Sequence, residues 1–215
     1  MIIGKEESAV IKKFFSKFQY NAPVILTFTL VSAAALLIST LTKGWANLYL
    51  FSVYRTSFLS PMQYLRMLTH IIGHVNYAHF LGNFMIILLL GPMLEEKYGS
   101  KPMLKMMLFT AFVTGLIQVI FFPKEHLLGA SGIEFMLILL SSFANFRKGK
   151  IPLTLILVAV IFLSGEIIDG INAGEDGVSQ MAHIIGGLCG TVFGWAVTKP
   201  KAESEPPQAN TQITS

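Results

Sequence analysis

The chain has 215 residues, of which 53% are hydrophobic and 13% charged, and its mean hydropathy is +0.62. An ordinary soluble domain carries about 25% charged residues, so this composition excludes a disordered chain and argues for a membrane protein. The formal charge of +4 would fit a nucleic-acid binder, but the basic residues follow a different pattern, given below. One cysteine, Cys189, excludes an intrachain disulfide and a cysteine-based zinc site.

Six apolar runs are read as transmembrane helices. They cover residues 24–41, 77–94, 103–122, 131–146, 151–168 and 178–197. About 20 apolar residues cross a bilayer as a helix, and these runs are too long for barrel strands. The fold class expected is an all-α six-helix membrane bundle. Residues 1–21 form a cytoplasmic N-terminal segment, 22–198 the membrane domain and 199–215 a disordered cytoplasmic tail with Pro206 and Pro207. The first run follows a basic start, as a signal peptide would. It is longer than the usual ~7–15 residues of such a segment, so a retained anchor is expected.

Alternating six spans from a cytoplasmic N-terminus puts Lys5, Lys12, Lys13, Lys17, Lys97, Lys101, Lys105, Arg147, Lys148, Lys150, Lys199 and Lys201 inside. Lys43, Arg55, Arg66 and Lys124 stay outside. The positive-inside rule supports this orientation, and the basic excess is therefore no nucleic-acid surface. The first outer connection, residues 43–76, is rich in aromatics and is expected to hold short interfacial helices.

Polar groups inside spans are costly and are functional candidates by default. The second span carries His79 and Asn83 on one helical face, with His74 just before it. The fourth opens with Gly129, Ala130, Ser131 and Gly132. The sixth carries His183, then Gly186 and Gly190. His183 lies about 8 Å into its span from the outside, and His79 and Asn83 at a similar level. The fourth span, at about 16 residues, is near 24 Å and shorter than the bilayer core. With its inner end held by Arg147, Lys148 and Lys150, Ser131 falls to the depth of His183.

A serine hydroxyl becomes a nucleophile when a base accepts its proton, and histidine is the usual base. Ser131 and His183 can supply that pair. Cleaving an amide also needs donors for the developing oxyanion. Ser131 sits at a helix N-terminus with free N–H groups, and His79 and Asn83 add side-chain donors. Gly129 and Gly132 admit a close backbone, and Gly186 with Gly190 gives the sixth span a small-residue face, expected to pack on the fourth. Each feature has a plainer reading in packing. His70, His74 and His79 lack the H-E-x-x-H pattern of a metalloprotease, and Ile133 stands where the G-x-S-x-G elbow needs glycine.

Taken together, the residues resemble the rhomboid family of intramembrane serine proteases. His74, His79 and Asn83 match its H-x-x-x-x-H-x-x-x-N pattern, and Gly129, Ser131 and Gly132 its G-x-S-G. Ala182, His183, Gly186 and Gly190 match A-H-x-x-G-x-x-x-G, and Gly91, Glu95, Gly99 and Ser100 match G-x-x-x-E-x-x-x-G-S. The resemblance implies a Ser131–His183 dyad without a third acid, cofactor or metal. It implies Ser131 N–H, His79 and Asn83 as oxyanion donors, and His74 as a structural or water-holding neighbour. Substrates would be single-pass transmembrane proteins cut near the outer face, and residues 170–177 a mobile cap. A bacterial plasma membrane is the expected location.

Three positions depart from the family pattern. Leu65 precedes Arg66 where many members have tryptophan, and Phe135 replaces a tyrosine stacked on the catalytic histidine. Glu134 has no family counterpart and is expected to be protonated or paired with a polar group of a neighbouring helix. Two other classes compete with the protease. A rhomboid-like adaptor that binds transmembrane helices would usually lack the serine or the histidine. A transporter would show repeats and more charges within its spans.

Overall fold

The computed structural model describes residues 19–143, 153–172 and 177–198. Seven α-helices occur among them: α1 Pro23–Leu41, α2 Pro61–Thr69, α3 Tyr77–Tyr98, α4 Ser100–Phe121, α5 Ser131–Ser141, α6 Leu153–Asn172 and α7 Gly177–Thr198. The chain is a multi-pass membrane protein. Four described helices, α1, α3, α4 and the 180–197 part of α7, are long and apolar enough to cross a bilayer. Many of their large apolar side chains face outward, including Leu30, Leu89, Phe109 and Leu188. Lipid, not water, is the solvent for such a surface.

The buried core runs through α1, α3, α4, α5 and α7, and its largest enclosed side chains include Phe84, Ile25, Met103 and Leu140. The helices were readable from apolar runs, but α5 is shorter than its run. It ends at Ser141 after 11 residues, about 17 Å at 1.5 Å per residue. The Ser141 and Ser142 hydroxyls both turn back onto the Ile138 carbonyl there. The basic residues taken to pin its inner end, Arg147, Lys148 and Lys150, lie outside the described residues, as do residues 1–18 of the N-terminal segment, the 199–215 tail and 173–176 of the expected cap.

The polar motif in α3 is a packing device. Ile25 of α1 rests on Gly91, where an added Cβ would stand 2.7 Å from its Cδ1. One turn on, the Glu95 carboxylate is 1% exposed and accepts the Val24 and Ile25 N–H groups, each at 3.0 Å. These are N–H groups that the first turn of any helix leaves without an internal partner. Pro23 opens α1, the position where a missing N–H costs nothing.

The 43–76 connection holds α2, a π-helical turn at Asn47–Phe51 and a 3-10 turn at His70–Ile72. It is fixed to the loop before α5 by paired backbone bonds between Val53 and Leu127, at 2.9 and 3.0 Å. Arg66 is 4% exposed, lies over the Tyr54 ring at 4.1 Å and donates to Thr56 Oγ1 at 2.9 Å. Leu65 beside it is 48% exposed, so the helix seats through Arg66 without a tryptophan anchor.

Candidate functional site

The approach to Ser131 is held from both sides. The Gly129 N–H donates to the His70 carbonyl at 3.0 Å, and the Ala130 N–H donates to Asn83 Oδ1 at 3.1 Å, with His74 Nε2 at 3.4 Å. His74 Nε2 lies 3.2 Å from the same Asn83 oxygen, and its Nδ1 3.2 Å from the Ile72 carbonyl. Either imidazole tautomer leaves the Ala130 N–H satisfied: a proton on Nε2 goes to Asn83, and one on Nδ1 goes to Ile72. Gly129 has φ +133°, a region closed to ordinary side chains, and a Cβ there would stand 2.8 Å from His79 Cε1. A glycine is therefore required twice over, by backbone angle and by the histidine against it.

The three histidines of the connection and of α3 have separate tasks. His70 is buried and binds the Ala111 carbonyl at 3.0 Å, and burial lowers its pKa to about 4. Burial likewise lowers the pKa of His74 to about 4, with the nearby His79 adding to the effect. Both rings are therefore neutral at pH 7. The His79 ring meets the edge of His74, centroids 5.1 Å apart. His79 is set by its own helix start, where Asn76 Oδ1 accepts the His79 backbone N–H at 2.9 Å.

Asn83 does more than the sequence reading asked of it. Its Oδ1 holds Ala130, and its Nδ2 donates to Glu134 Oε2 at 3.0 Å. Glu134 is thus paired with a polar group from a neighbouring helix, one of the two arrangements expected. The pair ties α3 to the first turn of α5 and leaves one Asn83 N–H for another acceptor.

The α5–α7 contact carries Gly132, His183, Gly186 and Gly190. A Cβ at Gly186 would stand 2.8 Å from the Gly132 carbonyl carbon and closer still to its oxygen. One turn on, a Cβ at Gly190 would stand 2.9 Å from the Met136 carbonyl carbon, and Gly194 faces the Phe143 ring. The helices therefore touch backbone to backbone, as small residues allow in membranes. His183 shares this face of α7, at three residues before Gly186. Its ring packs on Phe135, centroids 4.5 Å apart and inclined at 39°. Phe135 stands four residues after Ser131, on the same side of α5. The missing tyrosine hydroxyl leaves this ring contact in place.

Several of these partners had no separate signal in the apolar pattern. Asn76 carries one, an N-cap residue just before an apolar run. The Val53–Leu127 pairing and the His70 carbonyl are backbone contacts between segments far apart in sequence, which side-chain identity does not encode.

A backbone of apolar helices, with its polar side chains gathered at the head of a short one, defines an integral membrane protein with an internal polar site. Residues 61–200 match the Rhomboid domain, and the chain belongs to the rhomboid family. It is similar to rhomboid-like protein 11, chloroplastic, of Arabidopsis thaliana, with 27% identity over 172 residues. That match covers 73% of this chain and 58% of the relative, so the chain spans less than two thirds of the relative's length.

Proposed function

We propose that the protein is an intramembrane serine endopeptidase, with Ser131 as nucleophile and His183 as general base and then general acid. The observation that carries this reading is the α5–α7 contact. It sets the His183 ring on Phe135, one turn from Ser131, in a chain whose two helices touch through Gly132 and Gly186. Ser131 opens α5, where backbone N–H groups lack helical partners and the helix dipole favours negative charge.

In this mechanism His183 takes the hydroxyl proton as Ser131 attacks the scissile carbonyl, and returns it to the leaving amine. A water molecule then releases the acyl group by the same proton route. The Ser131 N–H, the His79 ring and the second Asn83 N–H stabilise the oxyanion. His74 keeps Asn83 and Ala130 in place and touches no reacting atom. The six spans and cytoplasmic termini belong to the same proposal, supported by the apolar runs and the lysine distribution; the 170–177 cap belongs to it through the family resemblance, with 170–172 and 177 lying in the ends of α6 and α7. The substrates are single-pass membrane proteins with a bond near the outer face.

The test is labelling with a serine-directed fluorophosphonate in detergent. Wild type is expected to label, and Ser131→Ala and His183→Ala to lose it. A folded wild-type protein that does not label would overturn the reading in favour of a helix-binding adaptor.

A further inference from the structure

A second site lies away from Ser131. Between α1, the 68–72 segment and the first half of α4 is an apolar cleft of about 540 Å³. Val24, Phe28, Ile71, Ile72, Leu104 and Leu108 line it. Glu95 binds the start of α1, and Gly99 joins α3 to α4, so Pro23 and Ser100 mark the same end of the cleft. The 68–72 segment closes the other end.

Among the described residues, the rim carries exposed charge at the Ser100 end. Lys101 and Lys105 are exposed and share one helical stripe with Leu104 and Leu108, at spacings of three and four. Lys97 lies nearby over the Tyr98 ring. Among the described residues, Glu96 is the exposed carboxylate next to Lys97, while Glu95 is buried against α1. The lysine count places this end on the cytoplasmic face, where anionic lipids attract basic side chains.

The size selects the occupant. Its walls on α1 and α4, from Pro23 to Val31 and from Ser100 to Leu108, are each roughly 12 Å long at 1.5 Å per residue, so a helix laid along the cleft would meet it over only about two turns. A hydrocarbon chain entering from the membrane fits it lengthwise. We propose that the cleft binds one anionic phospholipid, with an acyl chain along α4 and the phosphate at Lys101 and Lys105. The chain then props Ile71 and Ile72 from below. The same short segment supplies the His70 carbonyl to Gly129 and the Ile72 carbonyl to His74. The lipid is thereby a structural ligand of the loop that holds the approach to Ser131.

The experiment is native mass spectrometry of the full chain, titrated in detergent with phosphatidylglycerol or phosphatidylcholine. Wild type is expected to retain one phosphatidylglycerol, preferred roughly ten- to thirtyfold over phosphatidylcholine at two lysine contacts. Lys101→Gln with Lys105→Gln should erase the preference, the double arginine variant should keep it, and Leu108→Trp should lose both lipids. Equal retention by the glutamine variant or by Leu108→Trp overturns the proposal. So does a protein dimer abolished by Leu108→Trp, which would assign the cleft to a second copy. Ser131→Ala should bind lipid as wild type does, which separates this outcome from any failure of the peptidase reading.

Discussion

Replacing Gly186 by alanine tests the central contact of the molecule. The added methyl would stand 2.8 Å from the Gly132 carbonyl carbon, where ordinary contact begins near 3.4 Å. The atoms it meets are backbone, so no side chain can swing away, and because the carbonyl oxygen is closer still, α7 must retreat by more than about 0.6 Å. Overpacking of this kind costs roughly 1–3 kcal/mol. For a chain of this length that lowers Tm by roughly 2–12 °C. A displacement near 1 Å between reacting groups costs about a hundredfold in rate, so activity should fall at least about tenfold. The assay is cleavage of a fluorogenic transmembrane peptide, read beside thermal unfolding in the same detergent. Gly82→Ala is the control, since nothing stands within 4 Å of a Cβ there. Wild-type turnover and unchanged Tm in Gly186→Ala would refute the backbone contact, and with it the placing of His183 beside α5.

Gly129→Ala should remove activity with a smaller effect on Tm, because φ +133° and the His79 ring both oppose a side chain at the site itself; fluorophosphonate labelling checks this. Glu95→Ala should lower stability by roughly 2 kcal/mol, since it leaves two helix-end N–H groups without their acceptor, and thermal unfolding reads the loss. Acid should destabilise the fold through His70 and His74. Their pKa values fall from 6.5 to about 4, so the unfolded chain binds more protons between these limits. The stability they contribute is complete above pH 6.5 and is lost as pH falls to 4, at most roughly 3 kcal/mol for each ring. His70→Asn with His74→Asn should flatten that part of the pH–stability curve.

The sequence was most informative where one physical demand acts on a whole segment. Lipid requires long apolar helices, and α1, α3, α4 and α7 stand within a few residues of their apolar runs. Small residues at helical spacing signalled the approach of α7 to α5, and Gly186 and Gly190 do lie on Gly132 and Met136. Glu134 was legible as a cost needing a partner, but the partner was not, because Asn83 is 51 residues away. The same limit hid the target of Glu95. Its motif was recognisable, but its use is a pair of backbone bonds to α1, and backbone groups are alike in every sequence. The end of α5 was misjudged because the apolar run continues beyond Ser141, where serine hydroxyls turn the chain.

The bond from Glu95 to α1 also constrains biogenesis. The acceptor lies 70 residues downstream of Ile25, so during synthesis the first helix exists for some time with its opening amides unserved. At 5–20 residues per second that interval is roughly 4–14 s. Water at the bilayer edge must serve those amides until the third helix arrives. The newborn first helix is therefore free to tilt or slide until a carboxylate made later locks it at a fixed height.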